Sequence, residues 1–185
     1  MIKNMKKIYI VLTHTGTILS QIIRNYTKDE FAHVSLSLDV ELNEMYSFAR
    51  LHPNNPFLGG FMHEYIDKGT FKKFHKTKTI IYSLEITDEQ YETIENTIKE
   101  FQENKENYKF NVIGLFAAGF HKRITKDKSF YCAEFVKYLL ENAKINTNLP
   151  ETVRPEDFKN IDGLQEIYRG LLREYQVTKE REETI

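Results

Sequence analysis

The sequence predicts an α+β protein in which an antiparallel sheet packs against helices, and three observations carry that expectation. Ile8 to Leu12 is an unbroken β-branched and aromatic run, as expected of a strand buried on both faces. Phe31 to Asp39 alternates between apolar and polar residues, the period-two pattern of a strand with two unlike faces. Two later segments, one after Thr87 and one after Ser129, repeat apolar residues at helical spacing.

The elements follow in order. The first strand closes in the turn Thr13-His14-Thr15-Gly16. Ile18, Leu19, Ile22, Ile23 and Tyr26 then recur at helical spacing, and the stripe stops near the polar Thr27 to Glu30. In the alternating strand Val34, Leu36 and Leu38 share one face, while His33, Ser35, Ser37 and Asp39 share the other. Glu44 to Arg50 reads as its hairpin partner across the acidic, Asn-containing segment Val40 to Asn43. His52 to Pro56 and Gly59-Gly60 punctuate a loop that stays packed through Phe57, Leu58, Phe61 and Met62.

Thr79 to Ile86 is a further strand. Thr87 caps the helix after it, with Gln90 as capping-box partner and Tyr91, Ile94, Ile98 and Phe101 on one face. Phe110 to Phe120 is apolar, carries two glycines and no charge, and reads either as a buried helix or as a hydrophobic lip beside a site. Ser129 is the expected cap of a helix with the stripe Cys132, Val136, Leu139, Leu140 and Ala143. Leu164 to Tyr168 is a short strand candidate, and Thr178 to Ile185 is a charged tail that frays. No repeat, linker or low-complexity tract divides the 185 residues, so a single domain is expected over 1–185.

Composition excludes several classes. With 26 Lys plus Arg against 27 Asp plus Glu, the net charge of -1 gives no electrostatic footprint for nucleic acid. The one cysteine cannot form an internal disulfide, and Ile8 to Leu12 is too short for a signal segment or a membrane span. A cytoplasmic protein without stable membrane insertion is expected. His52, His63, His75 and His121 show no metal-ligand spacing, so neither a metal nor another cofactor is expected.

The residues that could do chemistry are Cys132 and His33. Cys132 falls in the first turn of its helix, where orphan N–H groups and the positive end of the dipole favour a thiolate and could receive an oxyanion. A thiol nucleophile needs a base, and His33 stands on the polar face of its strand, between small side chains that let a helix approach. The competing reading makes Cys132 a small buried hydrophobe and His33 a structural, hydrogen-bonded histidine.

Three segments carry a resemblance: Phe31-Ala32-His33-Val34-Ser35-Leu36-Ser37, the helix start Thr15-Gly16-Thr17-Ile18-Leu19-Ser20-Gln21, and Phe130-Tyr131-Cys132-Ala133-Glu134-Phe135-Val136. With the strand His preceding the helix-start Cys, the chain resembles the circularly permuted branch of the NlpC/P60 papain-like superfamily, and within it the YiiX-like group of bacterial proteins. The likeness runs from about Ile8 to Ala143, and the late Arg154 to Tyr175 region adds little to it. It implies a permuted papain-like fold, Cys132 as nucleophile, His33 as general base, and a third polar residue on the strand after the His strand. By position Ser47 matches that third residue, with Glu44 and Glu64 as rivals. Serine accepts a hydrogen bond from the imidazole but stabilises an imidazolium less than a carboxylate does. Tyr131, His14 and Glu64 are the candidates to border the substrate, Tyr131 at the oxyanion pocket or else as a core aromatic.

The chemistry so implied is acyl transfer on small amides or cell-wall-type peptides, through an acyl-enzyme. The alternatives are a thioesterase or acyltransferase on lipid-like substrates, or a binding module with the same fold and an inert thiol. His33-Val34-Ser35 and His75-Lys76-Thr77 also resemble the paired motifs of two-histidine phosphoesterases, although the second copy lies in a basic, polar run. The Thr13 to Gly16 turn lacks the glycine spacing of a phosphate loop.

Overall fold

The structure, a computed structural model, describes residues 4–16, 29–52, 55–119, 122, 124 and 127–176. The helix expected over Ile18 to Tyr26 and the charged tail at 178–185 lie outside the described residues. Along the chain run β1 (Met5–His14), β2 (His33–Ser37), β3 (Met45–His52), β4 (Asn55–Glu64), α1 (Gly69–Lys73), β5 (Lys78–Thr87) and α2 (Asp88–Glu103). They are followed by β6 (Lys109–Phe110), α3 (Val112–Gly119), β7 (Ser129–Phe130), α4 (Cys132–Asn142) and β8 (Gln165–Leu171).

The chain is α+β, with six strands in the order β4-β3-β2-β1-β5-β8 and every neighbouring pair antiparallel. β1 sits between β2 and β5 and is covered on both faces, which is why Ile8 to Leu12 needs no polar alternation. On one face Ile8, Ile10, Leu12, Val34, Leu36, Tyr46, Phe48, Ile80 and Tyr82 form the main core with Ile94, Ile98 and Phe101 of α2 and Phe135, Val136, Leu139 and Leu140 of α4. On the other face a smaller cluster joins Tyr9, Val11, Met45 and Ile81 to Leu42, Phe71 and Leu172.

The capping box of α2 is present as expected: Gln90 N–H donates to Thr87 Oγ1 at 3.2 Å and Thr87 N–H to Gln90 Oε1 at 3.0 Å. The His52 to Met62 stretch differs from its expected loop, because β4 occupies Asn55–Glu64 and pairs with β3. Gly59 is required there by close approach rather than by a turn. A Cβ at that position would lie 2.6 Å from both the Ala49 carbonyl oxygen and Phe110 Cβ.

The expected strand at Leu164 to Tyr168 is β8, and it runs on to Leu171 at the sheet edge. Ser129 is not the cap of α4. Ser129 and Phe130 pair in parallel with Lys109 and Phe110, so the chain stays extended through Phe130 and Tyr131 becomes the N-cap.

Candidate active site

Packing fixes where α4 begins. Phe135, Val136, Leu139 and Leu140 are fully buried against the sheet, and Glu134 accepts the Tyr131 N–H at 3.2 Å. Cys132 is therefore the first helical residue, among the N–H groups that a helix start leaves without intrahelical acceptors. Its side chain is 2% exposed and belongs to the main core.

His33 opens β2, directly opposite Thr13 of β1. Its Nε2 lies 3.1 Å from Glu64 Oε1 and 3.3 Å from Oε2, and the Ser35 hydroxyl donates to the same carboxylate at 2.5 Å. The Cys132 thiol lies near enough to His33 to act on its pKa. Burial alone would lower the His33 pKa. The Glu64 charge, followed by the nearness of Cys132, outweighs burial and pushes it up to about 10. For Glu64 the balance is the mirror image. Burial would raise its pKa, but the His33 charge and hydrogen bonds from His33 and Ser35 hold it below the ordinary carboxylate value.

Glu64 reaches His33 across an intervening strand. Register places Glu64 opposite Met45 and Met45 opposite Ser37, so β3 stands between the carboxylate and β2. Ser47 and Ser35 are small and fully buried on that face, which leaves room for the longer side chain to pass. The Ser47 hydroxyl lies near enough to contribute to the Glu64 pKa, yet makes no hydrogen bond of ordinary geometry. We attribute the orientation of His33 to Glu64, which touches the imidazole, rather than to Ser47, which does not. Ser35 and Ser37 do not receive α4, as the spacing suggested. Alternation puts Val34 and Leu36 on the α4 side, while Ser35 bonds to Glu64 and Ser37 donates to the Asp39 carbonyl at 2.9 Å.

Tyr131 is 2% exposed and donates its hydroxyl to the Val153 carbonyl at 2.8 Å, so it is a tethered core aromatic. His14 is 9% exposed at the end of β1, next in sequence to Thr13 and opposite Lys78 of β5. Glu44 is exposed and accepts the Tyr46 hydroxyl. His75 is exposed between α1 and β5, away from the groups that hold His33.

One contributor was missed from sequence. The turn from Val153 to Lys159 holds the approaches to both site residues. Tyr131, just before Cys132, bonds to Val153. Before His33, Asp29 pairs with Arg154 Nη1 at 3.2 Å, Glu30 with Lys159 Nζ at 3.0 Å, and the Phe31 N–H donates to Glu156 at 3.1 Å. Pro155 followed by Glu156 and Asp157 is the helix-start pattern that marks this turn in the sequence.

No family model matches the chain, and no curated protein or solved structure matches it at a significant level. Among the described residues no cluster of His, Cys, Asp and Glu forms a metal site, and no helix is long and apolar enough to cross a membrane.

Proposed function

We propose that the protein is a cysteine hydrolase of the circularly permuted NlpC/P60 papain-like type, acting on small peptides or other amides through an acyl-enzyme. The observation that carries this reading is His33, bound by the Glu64 carboxylate and near Cys132, the first residue of α4. A histidine kept protonated across the neutral range is already an acid, poised to protonate a leaving group. With Nε2 turned to Glu64, Nδ1 is the ring nitrogen available for proton exchange with sulfur.

In this mechanism the Cys132 thiolate attacks the substrate carbonyl, and the oxyanion forms beside the N–H groups at the start of α4. His33 gives its proton to the departing amine as the C–N bond breaks. Water, deprotonated by the now neutral imidazole, then attacks the thioester and releases a carboxylic acid, leaving its second proton with the Cys132 and His33 pair. Glu64 orients the ring and balances its charge. A nucleophilic thiol of this kind works in a reducing compartment such as the cytoplasm.

The 2% exposure of Cys132 favours one second reading, a binding module of the same fold with an inert thiol. Alkylation of Cys132 by iodoacetamide, followed by mass spectrometry against pH, separates the two. Hydrolase chemistry predicts rapid labelling at pH 6 that slows in His33→Ala, and then turnover of small peptide amides. Labelling no faster than a free thiol, and unchanged by that substitution, would sink the hydrolase.

A further inference from the structure

Three of the large exposed apolar side chains of the described residues gather on and beside α3. Ile113, 65% exposed, and Phe116, 40% exposed, stand three residues apart on α3, whose Leu115 and Ala118 pack into the main core with Cys132. Ile124, 44% exposed, adjoins the start of α3, where its carbonyl accepts the Asn111 side-chain amide at 2.9 Å. Tyr138, also exposed, packs at 5.6 Å on Phe130. Met5 and Tyr138 are the other large exposed hydrophobes among the described residues, so most of these side chains fall on the one segment around α3.

Cations flank the same patch. Lys122 N–H donates to the Ala117 carbonyl at 2.9 Å at one end of α3, and Lys109 N–H to the Lys128 carbonyl at 2.9 Å toward the other. All three lysines are exposed. Among the described residues from 109 to 128 the charged side chains are Lys109, Lys122 and Lys128 against Asp127 alone, in a chain whose net charge is -1. At eight residues α3 is far too short to span a bilayer. It suits an interfacial position, with lysine ammonium groups on lipid phosphates and the apolar side chains at the acyl boundary.

We propose that α3 and its flanking lysines dock the protein reversibly on an anionic membrane surface. The charge bias selects this occupant over a second copy of the chain, which would bring lysines against lysines. Docking requires no chemistry at Cys132, so either can fail without the other.

The chain contains no Trp, so Phe116→Trp supplies a single fluorescent reporter on the full-length protein. Mixed phosphatidylglycerol–phosphatidylcholine vesicles should shift its emission to the blue and carry the protein down on sedimentation. Pure phosphatidylcholine vesicles should bind roughly tenfold or more weakly, and added salt should release the protein. Ile113→Ser and, separately, the pair Lys122→Glu and Lys128→Glu should each lose the interaction while keeping the circular dichroism of the parent. No shift with either vesicle would overturn the proposal, as would equal binding to both. A blue shift that grows with protein concentration in the absence of lipid would also overturn it, since a second copy would then cover α3.

Discussion

The two faces of the sheet are built on opposite rules. The face under α2 and α4 is almost wholly apolar, and Phe48 is its pivot, with Phe135 at 5.1 Å and Phe130 at 5.2 Å. The opposite face mixes Tyr9, Val11 and Met45 with buried Ser35, Ser37, Ser47 and Glu64. Large side chains on the first face set where α4 begins and thereby deliver Cys132. Small ones on the second leave the space through which Glu64 crosses β3. His33 stands at the end of β2 where the two meet, with the carboxylate from one face and the thiol from the other. Apolar packing can place a backbone, but holding a partly buried imidazolium requires a charge brought through a channel of small residues.

The largest effect should fall on the first face. Phe48→Ala empties the centre of the aromatic cluster and should cost about 4 kcal/mol in denaturant unfolding. A loss below about 1 kcal/mol would show that this face does not anchor the α4 junction.

Glu64→Gln should rank next, at about 3 kcal/mol, because it leaves His33 without its carboxylate. Here the pH dependence sharpens the comparison. The raised pKa of His33 makes its contribution complete below its ordinary value of 6.5, and that contribution is lost as pH rises through about 10. The lowered pKa of Glu64 makes its contribution complete above its ordinary value of 4.5, and it is lost as pH falls through the depressed value. The deficit of Glu64→Gln should therefore be widest between about pH 4.5 and 6.5 and shrink on the alkaline side. Phe48→Ala should show no such profile, and parallel profiles for the two variants would erase the distinction between the faces.

Tyr131→Phe tests the turn that holds both approaches. It removes the donor to the Val153 carbonyl and should cost about 1.5 kcal/mol. If the turn also positions the site, Cys132 labelling should slow by about twofold to fivefold, while the core variant Leu139→Ala, though less stable, should label at the parent rate while folded.

How much of this was legible in the sequence follows the same divide. Period-two alternation in Phe31 to Asp39 and the stripes after Thr87 and Ser129 report local burial, so β2, α2 and α4 were readable. β4 was not, because Gly59 and Gly60 look like turn residues unless the approach of Ala49 and Phe110 is known. Cys132 and His33 could be singled out by type and local setting. Glu64 could be named but not assigned its place on the imidazole, since its reach across β3 depends on strand register, which is a long-range property. The Arg154 to Lys159 turn was passed over for the same reason, as its partners lie on the far side of the sequence.

The smallest expected effect is the one that separates position in sequence from contact in space. Ser47 matches the third site residue by its place on the strand after the His strand, whereas Glu64 makes the contact. Since the Ser47 hydroxyl has no hydrogen bond of ordinary geometry and is the last of the groups lowering the Glu64 pKa, Ser47→Ala should change stability by no more than about 0.5 kcal/mol. Alanine preserves the space through which Glu64 passes, so Cys132 labelling at pH 6 should stay within about twofold of the parent, against a loss of roughly tenfold or more in Glu64→Gln. The reverse ranking of the two variants would return the orienting role to Ser47 and reduce Glu64 to a buried charge that merely neutralises its surroundings.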